Sequence, residues 1–118
     1  MNAKDFFNNY SQALVLYEYF LNEIKGIGSF TISVTKSQIA LKRQKTFAIL
    51  WIPARYLKGK FAPLVLTLSL PTRHPSTRWK EIVEISPRHY THHLEIFSIE
   101  DIDDEVCDWV FQAWENSA

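Results

Sequence analysis

The stretch SPRHYTHHLEIFS, residues 86–98, places His89, His92 and His93, three of the chain's four histidines, within five positions. Imidazoles so grouped suggest metal ligation or proton transfer, provided their nitrogens can converge. The flanking residues predict a strand, on which neighbours point to opposite faces. His92 then turns away from both His89 and His93. His89 and His93 share a face but lie about 13 Å apart at ~3.3 Å per residue, whereas metal ligands meet within ~2 Å of one point. No metal site is expected. His92 shares its face with Leu94 and Ile96, which suits a satisfied imidazole at the core's edge, while His93 and Glu95 share the outer face.

Other catalytic arrangements are missing. The chain has no Gly-x-Ser-x-Gly elbow, phosphate loop, His-Glu-x-x-His or dinucleotide fingerprint. Cys107, the single cysteine, lies mid-helix on the border of an apolar stripe, where packing outweighs nucleophilic duty. Glu81, Glu84 and Glu95 could pair across strands, but exposed strand carboxylates are common. No catalytic residue and no cofactor is assigned, and an enzyme ranks third among the readings.

Charge gives a more positive indication. The net charge is zero, yet residues 29–80 carry ten basic side chains and no acidic one. Residues 81–118 carry ten acidic side chains against Arg88 alone. Either the two parts neutralise each other in the fold, or a basic face awaits an anionic partner. The cations alternate with aromatics: Lys42, Arg43 and Lys45 before Phe47; Arg55, Lys58 and Lys60 among Tyr56 and Phe61; Arg78 and Lys80 around Trp79. Such interleaving suits phosphate contact with base stacking, although lysines also blunt sheet edges.

The elements that position these groups are legible from periodicity. Phe6, Tyr10, Ala13, Leu14, Tyr17, Phe20, Leu21 and Ile24 recur every three or four residues, which predicts one helix capped by Asn2 or Asp5 and ended by Gly26 in a left-handed conformation. The glycines of GIGS follow this helix, so they cannot form an N-terminal phosphate cradle. Residues 29–97 predict strands. FTISVT, QIALKR and LVLTLSL alternate, and TFAILWI is apolar on both faces until Pro53. WKEIVEI is expected to turn Trp79, Val83 and Ile85 to one side. A closing helix follows Ser98 and Asp101, which resemble a capping box, with Ile99, Ile102, Val106, Trp109, Val110 and Ala113 as its buried stripe. Its acidic first turns complement the helix dipole. Cys107, Phe111 and Trp114 widen the stripe towards a second surface.

A chain of 118 residues supports one core, and its composition is that of a folded protein. A lone cysteine fits a reducing compartment, and ALVLYEYFL is interrupted by Glu18 and lacks the flanks of a signal peptide or membrane span. A soluble cytoplasmic protein without a membrane partner is expected.

LKRQKTFAILW, followed later by RHYTHHLEIFSIEDIDDEVCDWVFQAW, resembles a group of small uncharacterised bacterial domains of unknown function. These occur alone or at the C-terminus of proteins labelled predicted transport protein. The likeness spans about residues 29–116, with Ala113-Trp114 in place of the group's late Ala-Tyr. It implies an α+β domain and supplies no activity.

The sequence thus predicts a single α+β domain over residues 1–118: an N-terminal helix, a five- or six-stranded largely antiparallel sheet, and a C-terminal helix, both helices on one sheet face. The expected function is non-catalytic binding of an anionic partner, such as nucleic acid. Lys42, Arg73, Arg78 and Arg88 are expected to converge near His92 as the anion site. In the competing view, the arginines pair with Glu81, Glu84 and Glu95. The alternative function is a homodimeric interaction or accessory domain, joined through the apolar border of the last helix, with Phe111 and Trp114, or through the second sheet face.

Overall fold

Alternating apolar residues give six strands: β1 (Thr31–Val34), β2 (Ile39–Lys42), β3 (Thr46–Trp51), β4 (Leu64–Leu70), β5 (Glu81–Ser86) and β6 (His89–Ile96). In the computed structural model, which describes residues 1–118, they form one sheet in the order β1-β2-β3-β4-β6-β5. Every neighbouring pair is antiparallel. Because β6 lies between β4 and β5, those two strands run parallel, and residues 71–80 must travel the sheet's length to join them.

Two helices close one face. α2 (Ser11–Ile24) and α3 (Asp104–Glu115) contact each other, and both contact β4. Ile39, Leu41, Leu50, Leu64, Leu66, Leu68, Leu94 and Ile96 meet Phe20, Ile24, Val106, Trp109 and Val110 in one core. This is the expected α+β architecture, with six strands.

The predicted first helix is in fact two. A short α1 (Ala3–Phe6) starts at Asn2, whose side-chain oxygen accepts the Asp5 N–H at 2.8 Å. The chain then breaks at Asn9, φ 70°, a left-handed conformation that asparagine tolerates better than most residues. The break lets both Phe6 and Phe7 enter the core, edge to face at 4.9 Å. It also re-phases the buried stripe of α2 to Ala13, Leu16, Tyr17, Phe20 and Ile24, leaving Leu14 and Leu21 half-buried. Gly26 is not left-handed. Gly28 is, at φ 140°, and a Cβ there would collide with the Trp114 ring.

Two further expectations are corrected. In β5 it is Ile82, opposite His92, that packs against the core; Val83 faces the other way, and Ile85 sits at a register irregularity and is exposed. Trp79 precedes the strand, so alternation does not bind it to Val83. The C-terminal acidic segment also divides. The Asp101 carboxylate accepts the Phe97 and Ser98 N–H groups around a 3-10 turn (Ile99–Asp101), and α3 starts afresh with Asp103 accepting the Val106 N–H. Ile99 is therefore exposed instead of continuing the stripe.

The other sheet face has no helix over it. The strand registers put Ile49, Trp51, Val65, Thr67, Ser69, Thr91, His93 and Glu95 there, and this face carries the groove described below.

Candidate anion-binding groove

The three histidines go to different places. His92 is fully buried. Its Nδ1–H donates to the Tyr90 carbonyl at 3.1 Å, and its Nε2 accepts the His74 N–H at 3.0 Å. Both nitrogens are engaged, so the imidazole is a neutral tautomer, and burial pushes its pKa below the usual histidine value. Trp79 and Trp109 enclose it: Trp79 stands 4.9 Å from His92 and 4.4 Å from Trp109, and His74 stands 4.9 Å from Trp109. This cluster anchors the 71–80 connection onto α3. His92 is thus unavailable to an anion.

His93 lies on the open face. Trp51 Nε1–H donates to Thr67 Oγ1 at 3.0 Å, and Thr67 Oγ1 lies 2.7 Å from His93 Nδ1. Which of the two atoms donates follows the His93 tautomer, and the other ring nitrogen, Nε2, has no protein partner. Burial lowers its pKa, with the Glu81 charge opposing, so it too favours the neutral form. His89 lies at the beginning of β6, four residues away. No three His, Cys, Asp or Glu side chains converge as metal ligands would.

The expected arginine cluster does not assemble. Arg78 is held by Asp103 at 2.9 Å and Glu105 at 2.8 Å, donates to the Asp101 carbonyl at 3.2 Å, and lies 5.4 Å from the Trp109 ring centre. Those hydrogen bonds raise its pKa, and its charge is spent at the start of α3. Its partners are not the strand glutamates of the competing view. Arg73 lies 5.6 Å from the Tyr90 ring centre. Lys42 ends β2, three strands from β6 and so roughly 14 Å across the sheet at ~4.8 Å per strand. Arg88, at φ 64°, turns the β5–β6 hairpin. Lys42, Arg73 and Arg88 all lie at one end of the sheet, but Arg78 and His92 do not join them in a site.

A different set meets at that end. The antiparallel order brings the β2–β3 and β5–β6 turns to the same edge as the end of β4. Lys45, Thr46, Ser69, Leu70, Pro71, Pro87, Arg88, His89 and Asn116 line an open hollow of about 500 Å³ there. No carboxylate side chain lines it. Lys45 and Arg88 are exposed and form no salt bridge. The backbone holding Lys45 is fixed: the Gln44 and Lys45 N–H groups donate to the Ser117 carbonyl at 3.1 and 3.0 Å. The carbonyl end of α3 is nearby, where the helix dipole is negative. Arg43 offsets it by donating to the Trp114 and Glu115 carbonyls at 3.3 and 3.5 Å. Sequence reasoning named Lys45 within a basic turn and Arg88 as a member of the expected anion site. It could not unite them without the strand order.

Trp114, expected as interface, is occupied within the chain. Arg43 lies over its ring at 3.8 Å, its Nε1 donates to the Ser29 carbonyl at 2.9 Å, and Gly28 lies beneath it. Phe111 stacks on it at 6.0 Å and is itself exposed. Cys107 is half-buried, and burial raises its pKa, which keeps the thiol protonated and a poor nucleophile.

A sheet with both helices on one face and an open, basic-ended groove on the other defines a small α+β domain. The chain belongs to the family described as domain of unknown function (DUF5655), whose model matches residues 3–117. Comparisons with curated proteins and with solved structures found no match.

Proposed function

We propose that this domain is a non-catalytic binding module whose groove end, with Lys45 and Arg88, receives an anionic partner. The observation that carries the reading is the hollow at the strand ends: two unpaired cations, His89, the hydroxyls of Thr46 and Ser69 and the Asn116 amide, with no carboxylate side chain among its lining residues. Cations with neutral donors beside them suit phosphate oxygens, which accept from both. The test is titration with pyrophosphate, a polyanion without an aromatic ring. Binding should weaken as salt rises and fall at least about tenfold when Lys45 and Arg88 are both changed to alanine, since each is a charge-assisted donor. Absence of binding at low ionic strength, or unchanged binding by that double variant, would overturn the reading. Self-association is the second reading, and the exposed Phe111 ring is the observation that favours it.

A further inference from the structure

The groove does not end at its basic hollow. Thr46, Ser69 and His89 are shared with a second hollow of about 170 Å³, lined also by Ile49, Thr67 and Thr91. Ile49, Thr67 and Thr91 are shared in turn with a third, of about 320 Å³, which reaches Gln38, Trp51, Tyr56 and His93. The three hollows thus adjoin one another along β3, β4 and β6, from Lys45 and Arg88 to an aromatic slot. From His89 to His93 the path is about 13 Å at ~3.3 Å per residue.

The slot is preorganised. Trp51 is pinned by its bond to Thr67, and the Tyr56 hydroxyl donates to the Ser37 carbonyl at 2.9 Å, which holds an otherwise exposed ring in place. The two ring centres stand 6.3 Å apart at 55°, and His93 meets Trp51 edge-on at 6.2 Å. A flat heterocycle laid against Trp51 or Tyr56 gains stacking, and the unpartnered His93 Nε2 is open to a hydrogen bond with a heterocycle's donor or acceptor. The midsection offers the Thr46 and Ser69 hydroxyls and the Ile49 side chain, a surface matched to a sugar. Beside the slot, Glu95 pairs with Lys80 at 3.3 Å and Glu81 lies opposite His93. The groove therefore attracts anions at one end and aromatic rings at the other.

We infer that the ligand is a nucleotide with an extended phosphate chain, a polyphosphate or a neighbouring phosphodiester, with a phosphate at Lys45 and Arg88 and the base in the Trp51–Tyr56–His93 slot. This rests on the anion-binding reading and adds the ring. Free nucleoside polyphosphates and short single strands share that chemistry.

The experiment is calorimetric titration of the full chain with pyrophosphate, ribose 5-phosphate, ATP and a tetranucleotide. ATP or the tetranucleotide should bind about tenfold or more tightly than pyrophosphate, the increment expected of one stacked base. Trp51→Leu should remove that excess and leave pyrophosphate affinity unchanged. Tyr56→Ala, at an exposed ring, should reduce the excess and serves as the second variant if Trp51→Leu does not fold. A tighter tetranucleotide identifies a single strand as the source, a tighter ATP a free nucleotide, and either supports the inference. Ring-free and ring-bearing phosphates binding equally, or an excess surviving both variants, would overturn it while leaving the anion site standing. Failure of pyrophosphate itself would instead remove the underlying reading.

Discussion

His92 shows how burial decides what a side chain can do. Its position among apolar neighbours on β6 already suggested a core histidine, but one of its two hydrogen-bond partners comes from a loop 18 residues earlier in the chain. The neutral ring bridges Tyr90 and His74, and a second ring proton would have to displace the His74 N–H from Nε2. In the unfolded chain the residue titrates near 6.5, whereas in the fold its pKa is lower, chiefly because of burial. As pH falls through about 6.5, the unfolded state takes up the proton first. Stability is therefore full above that value and declines as pH drops towards the folded pKa; His93, shifted in the same direction, adds to the decline. Urea midpoints between about pH 7 and pH 5 should fall in the wild type and fall less in His92→Gln. An identical slope in the variant would contradict the buried neutral state.

At the scale of elements, the 71–80 connection is irregular yet tightly attached. It crosses the helix-covered face because β6 occupies the place between the strands that it joins. His74 Nδ1 accepts the Ser76 N–H at 3.1 Å and the Trp79 Nε1–H at 3.3 Å, and Arg78 ties the far part to the start of α3. The acidic residues before and within the first turn of α3 thus have two uses, capping the helix and receiving this loop. Exposed ion pairs contribute little, and the cation–π contact adds a comparable amount, so Arg78→Ala should cost about 1–2 kcal/mol. Its distinctive signature is faster amide exchange across residues 72–80, with α2 unchanged. Protection lost equally everywhere would show that Arg78 does not act on this loop in particular.

For the whole molecule, the uneven charge of the sequence resolves into several smaller features. Arg78 and Lys80 are paired with carboxylates, Arg43 caps α3, and Arg55 donates to the Lys36 and Phe6 carbonyls. Lys58 and Lys60 follow β3, at the opposite end of the sheet from Lys45 and Arg88. The basic segment is therefore neither neutralised throughout nor gathered into one patch, and the groove end is only one part of it. No helix is long and apolar enough to cross a membrane. The exposed Phe111 ring tests the accessory-dimer reading: a self-associating chain should shift towards monomer in Phe111→Glu, by light scattering at high concentration. A wild-type monomer under those conditions leaves that reading without support.

Local pattern carried the strands and the two buried helix faces, because periods of two and near 3.6 are imposed residue by residue on whatever one side must bury. It also carried the divergence of His92 from His93 and the mid-helix setting of Cys107. It could not find the break at Asn9, since a left-handed asparagine leaves the apolar spacing almost intact. It misphased β5 because Trp79, though outside the strand, continued its alternation. The site depended on strand order above all. Placing β6 between β4 and β5 sends Arg78 across the helix face to Asp103 and Glu105, and brings Lys45 to the same end of the sheet as Arg88. The same order aligns Trp51, Thr67 and His93 across three neighbouring strands. These are contacts between residues far apart in the chain, and no local period encodes them; only the tertiary structure decided which cations were spent and which were left facing the groove.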